Sequence, residues 1–248
     1  MLLKRVHLVR QTARLAPVAA ILGTLSGCQA IVSSPSLSQV RVVTASPDAV
    51  PLDIYQGSNA LTFNLGSGTI TSYISIAPGT YTINAEASGS RQVLSTAKAT
   101  FAPSAQYTVL IGNSAANLQQ QTLIDQTQPA PSGQISLRFV HQATRIGAVD
   151  LYLVPAGQKL AAVSPLISGV VFGANTGYLD VPAGTYTLVL LPAGTAPIST
   201  STATYAGAQF NYPAGAARTI ILIDQQLVAT PGLQVITADD FDAPATSN

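Results

Sequence analysis

The sequence predicts an all-β chain of two tandem antiparallel β-sandwich domains with an immunoglobulin-like topology. Three observations carry that prediction. One short phrase occurs twice, as APGTYTI at residues 77–83 and as PAGTYTL at residues 182–188. Apolar residues recur with a period of two, the spacing of a strand with one buried face. Clusters of Gly, Pro, Asn and Ser separate those runs about every eight to twelve residues, the punctuation of a sandwich or barrel.

The phrase belongs to a longer repeat. Val40-Arg-Val-Val43 aligns with Leu137-Arg-Phe-Val140, and Asp53-Ile-Tyr55 with Asp150-Leu-Tyr152 at the same offset. Tyr73 aligns with Tyr178, and Gly79-Thr-Tyr-Thr82 with Gly184-Thr-Tyr-Thr187, at a longer offset. The second copy therefore carries an insertion between Tyr152 and Tyr178, where any role special to one copy is expected. Thr108 then meets Thr219, and Leu118-Gln119 meets Leu233-Gln234. Ordered matches of this kind mark a tandem duplication, with domains at residues 40–128 and 134–242.

Tyr81, Ile83, Ala85 and Ala87 alternate with Thr80, Thr82, Asn84 and Glu86, which is a half-buried strand. Leu61, Phe63 and Leu65 alternate with Thr62 and Asn64, and residues 93–101 alternate more weakly, in the manner of an edge. Pro78-Gly79 and Ala183-Gly184 supply a turn before Thr-Tyr-Thr starts a strand, so the phrase reads as a hairpin corner built once per domain. Residues 129–133 and the polar stretch before them, with two prolines, read as a short semi-rigid linker. Residues 243–248 read as a disordered tail.

At the N-terminus, Lys4, Arg5, Arg10 and Arg14 precede an apolar run from Leu15 to Leu25. The run holds about a dozen residues, whereas a helix crossing a bilayer needs roughly twenty. It ends in Leu25-Ser26-Gly27-Cys28, which resembles the lipobox of bacterial lipoproteins. Small side chains at Ser26 and Gly27 let an extended chain enter a peptidase cleft, and Cys28, the single cysteine, offers the thiol for a diacylglycerol thioether. Residues 1–27 are thus expected to be a lipoprotein signal peptide and residues 28–39 a lipidated tether. Two or three acyl chains anchor firmly where one binds reversibly. Gln29, in place of Asp, favours the outer membrane by resemblance to enterobacterial sorting.

The chain has 11 basic and 10 acidic residues, and four of the basic ones lie in the leader. What remains is acidic overall, without the electrostatic footprint of a nucleic-acid binder. With no second cysteine for a disulfide, burial and backbone pairing must hold the fold.

Val40–Ile54, VRVVTASPDAVPLDI, resembles the opening of the family catalogued as domain of unknown function 4397, which goes on to an Asp-Val-Tyr strand and a Pro-Ala-Gly-Thr-Tyr corner. Arg41, Ala45, Ser46, Pro47, Asp48, Asp53, Tyr55, Gly79 and Tyr81 carry the match in the first copy. Arg138, His141, Asp150, Tyr152, Pro182, Gly184 and Tyr186 carry it in the second. Thr44 stands where the family has His, and Gln142–Ile146 replaces Ala-Ser-Pro-Asp-Ala, so neither copy holds the whole signature. The resemblance implies a secreted or envelope β-sandwich of unassigned function.

Candidate ligand contacts are Arg41, Asp53, Tyr55, Arg138, His141, Asp150 and Tyr152. Arg41 with Asp53, and Arg138 with Asp150, recur on what should be the first two strands of each copy. They read as cross-strand charge pairs on a solvated face or as a shared ligand contact. His141 could join Asp150 and a Ser in a hydrolase triad, but no nucleophile-elbow motif accompanies it, and a structural histidine is the plainer reading. A lone His without a thiolate gives no zinc site. Asp48 reads as a turn cap. Asp239, Asp240 and Asp242 read as a solvated acidic end, since an EF-hand's Gly and terminal Glu are missing. Tyr55, Tyr73, Tyr152 and Tyr178, if exposed, could stack on sugars; as strand residues they are equally ordinary.

These readings lead to a non-catalytic, lipid-anchored envelope protein with no cofactor or metal, held to its membrane by the lipid and presenting two domains to a polysaccharide or an envelope protein. A subunit of an envelope assembly, with a free strand edge completing a partner's sheet, and a hydrolase are the alternatives.

Overall fold

The computed structural model describes residues 36–226 and 232–242. The expected signal peptide, with Leu25, Ser26, Gly27 and Cys28, most of the expected tether and residues 243–248 lie outside the described residues. The described residues fall in one compact unit.

The first copy contributes β1 (Ser38–Thr44), β2 (Leu52–Gln56), β3 (Asn59–Leu65), β4 (Ile74–Ile76), β5 (Gly79–Ala87), β6 (Val93–Phe101), β7 (Gln106–Gly112) and β8 (Gln119–Ile124). The second contributes β9 (Gln134–His141), β10 (Val149–Pro155), β11 (Ile167–Val170), β12 (Asn175–Pro182), β13 (Gly184–Pro192), β14 (Tyr205–Tyr212), β15 (Ala217–Asp224) and β16 (Leu233–Phe241). Each copy is a β-sandwich. In the first, an inner sheet β4-β1-β7-β8 faces an outer sheet β3-β2-β5-β6; in the second, β12-β9-β15-β16 faces β11-β10-β13-β14. The inner sheets are not wholly antiparallel: β1 runs parallel to β7, and β9 to β15. No hairpin joins these partners, because the strands between them alternate between the two sheets, and only hairpins force antiparallel pairing.

Strand alternation sends Val40 and Val42 of β1 into the first sandwich's core and Arg41 and Val43 to the opposite face. That face is not solvated. Val43, Leu110 and Leu123 pack on Val140, Ile221, Ile223 and Ile236 of the second copy, forming a further core between the sandwiches. Four strands, β1, β7, β9 and β15, are consequently buried on both sides, which explains their near-continuous apolar sequences. The linker does not space the domains apart. Ala130 is buried, the Gln126 N–H donates to the Tyr178 hydroxyl at 3.1 Å, and its side-chain amide donates to Ser136 Oγ at 3.1 Å.

The repeated phrase is a sheet-crossing corner and not a hairpin, because β4 and β12 lie in the inner sheets while β5 and β13 lie in the outer ones. Tyr81 donates its hydroxyl to the Ala77 carbonyl at 3.1 Å, and Tyr186 does the same to Pro182 at 2.9 Å. Each ring folds back over the glycine of its corner. A Cβ on Gly79, whose φ is 152°, would stand 3.2 Å from the Tyr81 ring.

Part of the insertion in the second copy packs on the outer sheet. Leu160 and Val163, with Ala203, cover Tyr152, Val154, Val189 and Leu191, making a small apolar layer on the outside of the outer sheet.

Candidate functional site

The candidate residues do not converge on one site. Arg41 and Asp53 lie in different sheets, as do Arg138 and Asp150, so the cross-strand charge pairs do not form. Asp53 instead ties the irregular end of β3 to the turn between β5 and β6, accepting from the Asn64 N–H at 2.8 Å and the Gly89 N–H at 3.2 Å. The Asn64 N–H holds this carboxyl below the ordinary carboxylate range, with Gly89 helping against the effect of burial. Asp150 repeats the clamp on Gly169 and Gly194, at 2.7 and 2.8 Å. All four donors have φ between 52° and 79°, so each aspartate holds one left-handed residue in an irregular edge strand and one in a turn by satisfying its N–H group.

The two arginines meet each other's domains. Arg41 donates from Nε to Thr108 Oγ1 at 2.8 Å, from Nη1 to the Asp239 carbonyl at 2.7 Å, and from Nη2 to the Asp240 carboxylate across the domain boundary. Arg138 repeats the pattern with Thr219 at 2.9 Å, the Ile124 carbonyl at 2.8 Å and Asp125 Oδ1 at 2.5 Å. Each carboxylate is also held by a threonine and a tyrosine of its own domain. Thr108 and Tyr73 donate to Asp125 at 2.6 and 2.8 Å, and Thr219 and Tyr178 donate to Asp240 at 2.7 and 2.8 Å. The guanidinium of Arg41 lies 4.8 Å from the Tyr73 ring centre, and that of Arg138 lies 4.7 Å from Tyr178, both within cation–π range.

Eight residues thus form two interlocked copies of one buried network. Burial alone would lower the affinity of Arg41 for its proton, but Asp125 and Asp240 reverse this and raise it. Burial, reinforced by Asp125, pushes the Tyr73 hydroxyl well above its ordinary range, and burial with Asp240 does the same for Tyr178. Both phenols therefore stay protonated and donate. Neither ring is a free sugar platform. Of the other tyrosines, Tyr152 is covered, and Tyr55 is half-buried edge-on against Phe63 at 6.0 Å.

Asp240 is not part of a solvated acidic end, since it reaches into the interface. Its neighbours Asp239 and Asp242 both pair with Arg218. His141 is fully buried, with Nε2 3.3 Å from the Gly147 carbonyl and Nδ1 without a partner. Burial lowers its proton affinity. It touches neither Asp150 nor a serine hydroxyl among its hydrogen bonds. Among the described residues no three His, Cys, Asp or Glu side chains are grouped to hold a metal.

The sequence reading missed Asp125, Thr108 and Thr219. A signal was present: the offset that aligns Leu118 with Leu233 also aligns Asp125 with Asp240.

What the surface offers instead is a cleft of about 570 Å³ where loops of both copies meet, lined by Pro47, Asp48, Ala49, Ser114, Thr144 and Arg145. Asp48 caps the β7–β8 loop through the Ala115 N–H at 2.8 Å. The second copy lacks this aspartate and moves the task to Asp224, which accepts from the Thr144 and Arg145 N–H groups at 2.6 and 3.1 Å. Opposite rims of the cleft therefore carry one carboxylate and one guanidinium. The cleft follows the C-terminal ends of β1 and β9, whereas residues 36–37, the linker and Asp242 gather at their N-terminal ends.

No curated protein matches the chain. Among solved structures it is similar to the family 26 carbohydrate-binding module CBMbc of Eubacterium rectale Amy13K, crystallised with maltoheptaose, at 11% identity over 84% of this chain and 98% of that one. The TM-score is 0.24, too low for that likeness to carry an argument about ligand. The family model described as Domain of unknown function (DUF4397) matches residues 38–152 and 155–248, and the chain belongs to that family.

Proposed function

We propose that this is a lipid-anchored, non-catalytic protein of the cell envelope, in the outer membrane, whose fused sandwiches act as a binding module for an envelope polysaccharide or protein. Its family and fold fit a binding or structural β-domain protein. The observation that carries the reading is where the reactive side chains go. Arg41, Arg138, Asp125 and Asp240 hold one domain to the other, Asp53 and Asp150 each tie an edge strand to a turn, and His141 is sealed in the core. The lipobox ending at Cys28 supports the anchor.

Fractionation tests the anchor: wild-type protein should sediment with membranes and Cys28→Ala should not. Protease shaving of intact and permeabilised cells then decides which face carries the domains. Turnover of an ester, peptide or glycoside by purified protein, abolished by His141→Ala, would overturn the non-catalytic reading.

A further inference from the structure

Each sandwich has a side opening where the edge strand of its outer sheet faces the edge strand of its inner sheet. In the first copy these strands are β6 and β8, which pack together. Ala99 is buried on the inward face of β6, and Gln120 of β8 reaches across to the Ile83 carbonyl of β5 at 3.3 Å. The second copy cannot repeat that closure. Its strand registers put Phe210 in the place of Ala99 and Val235 in the place of Gln120. Phenylalanine is too bulky for the site and valine too short to span it. A groove of about 410 Å³ stays open between β14 and β16, floored by Leu188 and Ile220 and walled by Tyr205, Phe210, Tyr212 and Val235. Phe210 lies on the inward face yet is 56% exposed.

Among the described residues, the strand edge beside this groove is unguarded. β14 reads YAGAQFNY, with neither charge nor proline, and Gln209 stands where β6 carries Lys98. Edge lysines discourage pairing with another chain. The opposite rim is acidic: the side chains of Asp239 and Asp242 are 66% and 65% exposed and share one cation, Arg218. Phe210 and Tyr212 meet edge to face at 77°, so they offer side-chain pockets and no flat platform for a sugar ring.

We infer that this groove receives an extended strand of a partner protein, paired along the free edge of β14. Alternate apolar side chains enter beside Phe210, and a Lys or Arg faces Asp239. Backbone hydrogen bonds supply the affinity and the pockets the selectivity in this mode of recognition. The inference rests on the reading of the chain as a binding module but not on its anchor, so it is tested without membranes.

The probe is a fluorescent synthetic peptide of alternating valine and threonine with a terminal lysine, titrated into the full chain in detergent. Saturable binding should slow hydrogen exchange at β14 amides and leave β6 unchanged. Phe210→Ala and Gln209→Lys, which install the residues of the first copy, should each weaken binding at least about tenfold without moving the thermal midpoint. Asp239→Asn should weaken the lysine probe but not its glutamine counterpart. Absence of saturable binding, or binding that survives both β14 substitutions, overturns the inference. So does protection of β14 by self-association that rises with protein concentration, or by a neutral oligosaccharide in place of the peptide.

Discussion

The face on which the two sandwiches meet and the faces they turn outward have had different fates since the duplication. At the meeting face the two copies keep the same four residue types: Arg41, Tyr73, Thr108 and Asp125 answer Arg138, Tyr178, Thr219 and Asp240. Away from it, Tyr55 is half-exposed while Tyr152 is covered, and at the side opening between the sheets Ala99 and Gln120 give way to Phe210 and Val235. The physical reason is the cost of error. A buried charge deprived of its partner is strongly destabilising, and in a reciprocal network each arginine serves the other copy's carboxylate, so neither half can change alone. An outer face in contact with water carries no such coupling.

The largest expected effect comes from breaking the network. Asp125→Ala strands Arg138 and the Tyr73 hydroxyl and should cost about 3–5 kcal/mol, with Asp240→Ala costing nearly as much; urea unfolding midpoints measure both. A loss below about 1 kcal/mol, typical of exposed pairs, would remove the contrast between inner and outer faces.

Leu160→Ala should cost about 2 kcal/mol or more by opening the apolar layer over Tyr152. Hydrogen exchange should quicken in β10 and β13 and stay unchanged in β2 and β5. The first copy has no such layer, so an equal response there would mean that the insertion is not a local cover.

The pH dependence sharpens the comparison further. Burial lowers the folded-state proton affinity of His141 below its ordinary value of 6.5. As pH falls through that value the unfolded chain takes up the proton first, so this stability is complete above 6.5 and is lost on the way down to the folded value. Every tenfold drop in proton affinity on folding corresponds to about 1.4 kcal/mol of stability lost in this way. His141→Gln should flatten this part of the stability profile, as read from thermal midpoints between neutral and mildly acidic pH. The smallest effect belongs to the corners: Tyr81→Phe and Tyr186→Phe each lose one hydrogen bond to a carbonyl, about 1 kcal/mol or less, and should match.

The duplication, the strand runs and the corner were legible because period and repetition are local properties. Strand alternation puts Val40 and Val42 on one face of β1, but it cannot show that Arg41 and Val43 on the other face meet protein and not water. That depends on a partner about a hundred residues away along the chain. The same blindness made Asp53 look like a partner for Arg41: both recur in each copy, yet repetition records common ancestry of position and not contact. Asp240 reads as solvated for a related reason, since three acidic residues within four positions resemble an exposed tail until strand alternation is extended through β16. Phe210 gives no signal at all in one sequence. Only the register against Tyr186 shows that a large ring occupies the place of Ala99.

Calorimetric unfolding of the full chain bears most directly on the claim that the buried network makes the two sandwiches one body. A single transition, with calorimetric and van't Hoff enthalpies equal, is the predicted result, and Asp125→Ala should lower its midpoint as a whole. Two transitions in the wild type, with only one of them shifted by that substitution, would contradict the account.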